Sequence, residues 1–442
     1  MKIIIAVHHF PPRYVSGAEK ETLRVAKGLQ RRGHAVQVVC IEDILSGPEG
    51  SLAYEDTEYE GLPVRRLSFR LASAPDLWRW SYDNPWIGEH IRGFLSEQKP
   101  DLFFLVSGYL MTASVIHAAR DLGIPTALYL TDFWFLCPRI TMLRSDGRLS
   151  TLPIESTPCA RCLGEEKRRF RWLGQVLPQG MDWYWREQQE PAARIERRTE
   201  FLQDAISKVD RIITPSHFLG EMYEKAGFSQ APSVYIRQGL DRAADRSAWS
   251  HSSLEKILRV GYIGQIASHK GVQVLVDAVR SLKTENINLT IYGDETSFPD
   301  YTRLLRRKID ADPRIQLAGV FQGPERLKEI MAGFDVTVVP SVWYENSPNA
   351  ILEALSYGVP VITSDLGGMS ELVQHGHNGL LFRAGDSSDL ALQLQKLVEQ
   401  PGLISELRGN IQPVKTLGEQ IDEIESLFVQ ICAQSPARAG RA

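Results

Sequence analysis

Long apolar runs are missing from this chain of 442 residues. None approaches the roughly 18–20 residues a membrane-crossing helix needs, so the protein is expected to be soluble or at most peripheral. The opening Met1-Lys-Ile-Ile-Ile-Ala-Val7 is too short for a signal-peptide core and is broken by His8-His-Phe-Pro-Pro12; it reads as a first strand. Cysteine is scarce and odd in number, five in all, which argues against a disulfide framework and for a reducing cytoplasm. Surplus charge is missing too: 50 Lys and Arg against 54 Asp and Glu give a net charge of −4 and no global attraction for nucleic acid. Asp-x-Asp, a common way to hold a divalent cation, occurs only as Asp310-Ala-Asp312, beside Pro313, where turn formation and capping explain it better. Chemistry without a catalytic metal is the expectation.

What is present is alternation. Short β-rich runs at 2–7, 35–41, 102–106, 126–130 and 211–214 are interleaved with helical patterns such as 18–31, which argues an α/β fold with a mostly parallel sheet. Periodicity fades into small and polar residues over 239–250, where a linker is expected, and a new strand opens at Leu258. A second alternation follows through 289–292, 315–318, 336–339, 360–363 and 379–382. The reading is two Rossmann-like domains facing one another across a cleft: residues 1–240, with an insertion at about 137–200, and residues 256–412. Residues 413–442 hold an amphipathic run, 417–431, that predicts a last helix, and a small, basic tail from 434 that predicts disorder.

The densest motif is Tyr344-Glu-Asn-Ser-Pro-Asn-Ala-Ile-Leu-Glu-Ala-Leu355. A buried strand precedes it, and Pro348 followed by 349–356 reads as a helix opening. Glu345 therefore falls in the loop and Glu353 on the helix. A helix N-terminus at a strand's carboxyl end favours an anion by about 0.3–2 kcal/mol. A phosphate flanked by two carboxylates that accept from hydroxyls describes a nucleotide sugar. The segment, with Gly358-Val-Pro-Val-Ile362 behind it, resembles the signature of the retaining GT-B glycosyltransferases of family 4. The likeness extends to the amino-terminal loop, to Gly261–Gly271 and to Gly367-Gly-Met-Ser-Glu371, so it spans both ends of the chain. It implies that Glu345 contacts the donor sugar, that Glu353 contacts the ribose, that Ser347, Pro348, Asn349 and Ala350 cradle phosphate, and that the final helix returns to the amino-terminal domain.

Lys270, in Gly261-Tyr-Ile-Gly-Gln-Ile-Ala-Ser-His-Lys-Gly271, is placed to neutralise a departing β-phosphate. The family's usual arginine nearby is replaced by Gln265, so Arg13, Lys20 or Arg139 would have to substitute or activation would be weaker. Gly17, after Ser16 where the family usually has a second glycine, would let the first loop approach a ligand closely. Asp132, at the end of the 126–130 strand, is the amino-terminal carboxylate candidate, and the family's preceding histidine is Thr131, which cannot relay a proton near neutral pH. The reaction expected is transfer of a hexosyl group from a nucleoside-diphosphate sugar to a hydroxyl of a glycan or glycolipid, in surface polysaccharide biosynthesis. A nucleotide-sugar epimerase or hydrolase, or a non-catalytic scaffold or sensor, remain open; Gln265 and Thr131 favour the last.

Two features lie outside that chemistry. Cys137, Cys159 and Cys162 include a two-residue zinc-hairpin gap, but three ligands are one short of a structural zinc site, and free thiols are the other reading. Six of nine tryptophans fall in two windows, Trp78, Trp80 and Trp86, then Trp172, Trp183 and Trp185. Helix packing explains them, with contact to sugar or to the inner face of a membrane as the alternative. The basic run Lys167-Arg-Arg-Phe-Arg171 beside Trp172 suits an anionic bilayer or simply a solvated face.

Overall fold

The computed structural model describes residues 1–228, 231–241 and 257–434. Most of the expected linker and nearly all of the expected disordered tail lie outside the described residues. The chain divides into two compact units, Met1–Gln238 with Leu417–Ala442, and Gly239–Thr416.

In the first unit, β1 (Lys2–Val7), β2 (Ala35–Asp43), β3 (Leu52–Tyr59), β4 (Leu62–Phe69), β5 (Leu102–Val106), β6 (Thr126–Tyr129), β7 (Arg211–Thr214) and β8 (Ser233–Tyr235) form one sheet in the order β3-β4-β2-β1-β5-β6-β7-β8. β5, and β1 after Lys2, are apolar and covered on both faces, as central parallel strands require. The exception to parallel pairing is the β3–β4 hairpin, absent from the sequence reading, whose two-residue turn puts Glu60 and Gly61 at φ of 49° and 77°. Strand order reverses between β1 and β5. The loops after those strands therefore splay apart at the carboxyl edge and leave a crevice for a ligand.

Helix Leu417–Gln434 belongs to this unit. Its apolar residues recur at helical spacing, and Ile421, Ile424, Leu427, Phe428 and Ile431 join the core of β1 and β5. Phe428 meets Phe104 edge-on at 5.0 Å, and Gln420 donates to the buried Glu21 at 2.5 Å.

In the second unit, β9 (Leu258–Ile263), β10 (Ile287–Tyr292), β11 (Ile315–Gly319), β12 (Val336–Val339), β13 (Val361–Ser364) and β14 (Gly379–Phe382) are all parallel, in the order β11-β10-β9-β12-β13-β14. Numbered within the unit this is 3-2-1-4-5-6, the dinucleotide-binding order, with its reversal between β9 and β12. The loops after β9 and β12 carry Lys270 and Glu345.

Candidate functional site

The second unit's site is built by two glycine contacts. Gly271 sits at φ 71°, and a Cβ there would overlap the Pro340 carbonyl oxygen, so the loop after β9 lies flat on the loop after β12. The Val342 amide donates to the His269 carbonyl at 3.0 Å and closes the pair. Gly368 presses likewise on the Asn346 carbonyl, and its amide donates to the Glu345 carbonyl at 2.8 Å. The Glu345 backbone is therefore clamped from both sides.

Its side chain is clamped as well. Glu345 is buried, and one oxygen, Oε1, accepts from Lys270 Nζ at 2.6 Å, Ser341 Oγ at 2.8 Å and Trp343 Nε1 at 2.8 Å. Lys270 Nζ also lies 4.8 Å from the centre of the Trp343 ring. Burial alone would push the Glu345 carboxyl up; the Lys270 charge and these donors outweigh it and hold the group below the usual carboxylate range. Burial and then the Lys270 charge drive neighbouring His269 down to about 4, so it is neutral near pH 7.

Four residues after Glu345, helix Asn349–Ser356 opens without a side-chain cap. Pro348 stands at the cap position rather than inside the helix as expected, and its carbonyl accepts the Ile351 amide at 3.0 Å. The first helical N–H groups, at Asn349 and Ala350, have no intrahelical acceptor by geometry. Ser347 Oγ and Asn349 Oδ1 are buried without a hydrogen-bond partner. Orphaned buried polar atoms cost roughly 1–3 kcal/mol each, so two at one helix mouth make this a candidate place for a polar ligand. Glu353, half-buried, is on the same helix. Gln265 is exposed; its carbonyl accepts from the Tyr262 hydroxyl at 2.8 Å. The Asp310–Asp312 turn behaves as a turn: Arg314 bonds both Asp312 oxygens, at 2.9 and 2.7 Å.

The first unit has a site of its own at the β1/β5 reversal. Asp132 follows β6; its Oδ2 accepts from Ser107 Oγ at 2.6 Å and weakly from Thr131 at 3.4 Å, and its Oδ1 accepts from the Trp134 amide at 2.8 Å. Burial raises its pKa, against the pull of those donors and of the His8 charge. His8, at the end of β1, is itself buried: Nε2 lies 3.3 Å from Glu19, while Nδ1 has no partner. Burial opposes ionisation of Glu19, but His8 and Ser16 hold it down at about 2. Ser16 caps helix Gly17–Arg31 in a capping box with Glu19, and nothing lies within 4 Å of where a Gly17 Cβ would stand.

Sequence reasoning missed His8, Glu19 and Ser107. Ser16 followed three residues later by Glu19 was an available signal. Ser107, Leu110 and Thr112 carry φ of 60°, 55° and 61° without being glycine, a strain no composition rule reveals. Of the three substitute cations, Arg139 is held by Glu166 and the Leu143 carbonyl, and Arg13 leans on Glu42 at 3.6 Å. Among the described residues Lys20 is in no ion pair.

Cys137, Cys159 and Cys162 line a cavity of about 210 Å³ with Arg139, Arg144 and apolar side chains. Among the described residues no group of three or more His, Cys, Asp or Glu could hold a metal ion, and these three thiols form no such group. Cys162 Sγ accepts the Ser145 amide at 3.3 Å, and burial, with the neighbouring Cys137 and Cys162 thiols, pushes the Cys159 thiol up to about 12.

Residues 16–239 match the family described as "Glycosyl transferase 4-like domain" and residues 257–400 that described as "Glycosyl transferases group 1". The chain is 26% identical over 391 residues, 87% of its length and 78% of the other, to a GDP-mannose-dependent alpha-mannosyltransferase of Corynebacterium glutamicum. Its fold is similar to that of Anabaena Alr3699/HepE solved in complex with UDP and glucose, at a TM-score of 0.62 and 18% identity, covering 96% of this chain and 99% of that one. Sucrose-phosphate synthase from Thermosynechococcus elongatus superposes at a TM-score of 0.68 and 16% identity, covering 98% and 100%.

Proposed function

The chain belongs to the GT-B glycosyltransferases, and from that premise we propose that it moves a hexosyl group from a nucleoside-diphosphate sugar to a hydroxyl of a glycan or glycolipid, with retention at the anomeric carbon and without a metal. The observation that carries this reading is the open mouth of helix Asn349–Ser356, where buried Ser347 Oγ and Asn349 Oδ1 stand unpartnered beside the Lys270–Glu345 pair. The mouth supplies bare N–H groups for a diphosphate, and Lys270 supplies one positive charge.

In this mechanism the donor's β-phosphate draws Lys270 into a shared position between phosphate and Glu345. As the C1–O bond breaks, negative charge grows on the β-phosphate, where Lys270 and the amides of Asn349 and Ala350 stabilise it. The Glu345 carboxylate, still held at Oε1 by Ser341 and Trp343, accepts from a hydroxyl of the sugar, and Glu353 takes the ribose. The leaving phosphate oxygen accepts the proton of the incoming hydroxyl, which attacks from the same face. The Corynebacterium glutamicum relative is GDP-mannose-dependent and Alr3699/HepE was solved with UDP and glucose, which supports the donor class. Surface polysaccharide biosynthesis in the cytoplasm is the setting that fits a glycan or lipid-linked glycan acceptor.

The test is incubation of the purified chain with UDP-, GDP- and ADP-sugars, following thermal shift and free nucleotide, alongside Glu345→Ala and Lys270→Ala. One donor should stabilise the wild type and slowly release its nucleotide, EDTA should change nothing, and Lys270→Ala should lose roughly 10²–10³ in turnover, as loss of an oxyanion donor does. Normal turnover in Lys270→Ala would remove the leaving-group role. No binding of any donor would favour the scaffold reading instead.

A further inference from the structure

Four helices, Ser156–Gly164, Arg168–Val176, Pro178–Glu187 and Gln189–Ser207, make up most of the insertion after β6. The middle two form a hairpin joined at Leu177. One side of it is packed: the Phe170 ring stacks near Tyr184 and meets Trp185 edge-on at 5.5 Å, and Met181 and Trp185 are buried. The other side is not. Trp172 is 62% exposed, Val176 55%, Leu177 60% and Trp183 67%. Packing was the expected fate of these tryptophans, and it holds for Trp185 alone of the three. Trp172 and Val176, four apart, share one helix face. Single exposed apolar residues are ordinary, but four large ones within twelve positions form a patch.

Charge selects what covers that patch. The segment carries acids as well as bases, so its composition looks balanced. Within residues 167–186, however, the charge is one-sided: Lys167, Arg168, Arg169, Arg171 and Arg186 stand against a single acid, Asp182, which Arg161 takes. Lys167 and Arg169 are exposed and in no ion pair with a described residue, and Arg171 spends its hydrogen bonds on the Glu165 and Glu166 carbonyls, which leave its charge intact. A ridge of tryptophan and aliphatic side chains rimmed by unpaired cations complements an anionic lipid surface. No helix of the described residues is long and apolar enough to cross a membrane, so the contact is interfacial.

We infer that the 167–186 hairpin is a docking surface for a bilayer bearing anionic headgroups. Trp172, Val176, Leu177 and Trp183 enter the boundary between headgroups and acyl chains, and Lys167, Arg169 and Arg171 lie on lipid phosphates. This goes beyond the transferase reading and stands without it, because binding is measured with no donor present.

The experiment is sedimentation of the full chain with vesicles of phosphatidylcholine alone and of phosphatidylcholine mixed with phosphatidylglycerol. The wild type should pellet with the mixed vesicles and show tryptophan quenching by brominated acyl chains. Lys167→Ala with Arg169→Ala should weaken binding to mixed vesicles roughly thirtyfold, about fivefold per charge, with little change on the neutral ones. Trp172→Ala with Trp183→Ala should abolish quenching while leaving the thermal midpoint unchanged, since both side chains are exposed. A wild type that stays in the supernatant with both vesicles overturns the inference, as does binding by the Trp172→Ala, Trp183→Ala variant equal to wild type. A concentration-dependent dimer that the tryptophan variant dissolves, without vesicle binding, assigns the ridge to a second copy and overturns it too.

Discussion

Two carboxylates, Glu345 and Asp132, are held in opposite ways, and each makes a prediction at its own position. Glu345 is depressed in the folded chain, so its contribution to stability is complete above the unfolded pKa, near 4.3, and is lost as pH falls through the lower folded value. Glu345→Gln should therefore be destabilised at pH 7 by about 3 kcal/mol, since it leaves Lys270 partly buried and unpaired, and the gap to wild type should close as pH is lowered past 4. Urea unfolding at several pH values measures this; a gap constant with pH would mean the ion pair is not what holds the loop. Asp132 is raised, so its ionised form is the strained one at neutral pH. Asp132→Asn should be at least as stable as wild type at pH 7 while turnover falls, the pattern of a residue kept for function against stability. A large loss of stability would make Asp132 a structural anchor for Ser107 instead.

At the scale of loops and helices, both units carry candidate site residues on the loops that flank the strand-order reversal, and two glycines there divide packing from open space. Gly271 has a left-handed backbone and no room for a Cβ against Pro340, so Gly271→Ala should cost at least about 2 kcal/mol and displace Lys270 from Glu345. Gly17 has open space around it, so Gly17→Ala should keep the wild-type thermal midpoint and weaken donor or acceptor binding alone. A Gly17→Ala chain with unchanged kinetics would remove that loop from the site. The contrast also explains what was legible beforehand. Glu345 and Glu353 stand on one continuous strand-loop-helix segment, so spacing alone places them. The Lys270–Glu345 pair spans 75 positions, and only the docking of two loops through Gly271 and Gly368 creates it. The β3–β4 hairpin was missed because β3 is largely exposed and polar, without the apolar run that marks the central strands. His8, Glu19 and Ser107 were missed because their meeting depends on the order of β1, β5 and β6, which the chain order does not reveal.

At the scale of the whole chain, the first unit is completed from the far end of the sequence. Helix Leu417–Gln434 fills a face of the core that the first 238 residues leave open, and the fit is close: a Cβ on Gly28 would collide with Ile421. Five large side chains, Ile421, Ile424, Leu427, Phe428 and Ile431, are buried there. At roughly 1.5–3 kcal/mol each this burial rivals the total stability of an ordinary domain, even allowing that such areas are upper bounds. At the rim, the ion pair of Arg32 with Asp422 at 2.5 Å and the hydrogen bond of His34 Nε2 with Glu425 at 2.7 Å add orientation more than energy. Removing residues 417–442 should therefore unfold the first unit selectively. Hydrogen exchange read by mass spectrometry should show β1 and β5 peptides losing protection while β9 and β12 peptides keep it. The milder Phe428→Ala should fold with a loss of about 3–5 kcal/mol confined to the same peptides. Equal loss in both units would mean that the closing helix supports the chain as a single cooperative body, and the two cores could not be treated as separate in any interpretation of ligand-induced stabilisation.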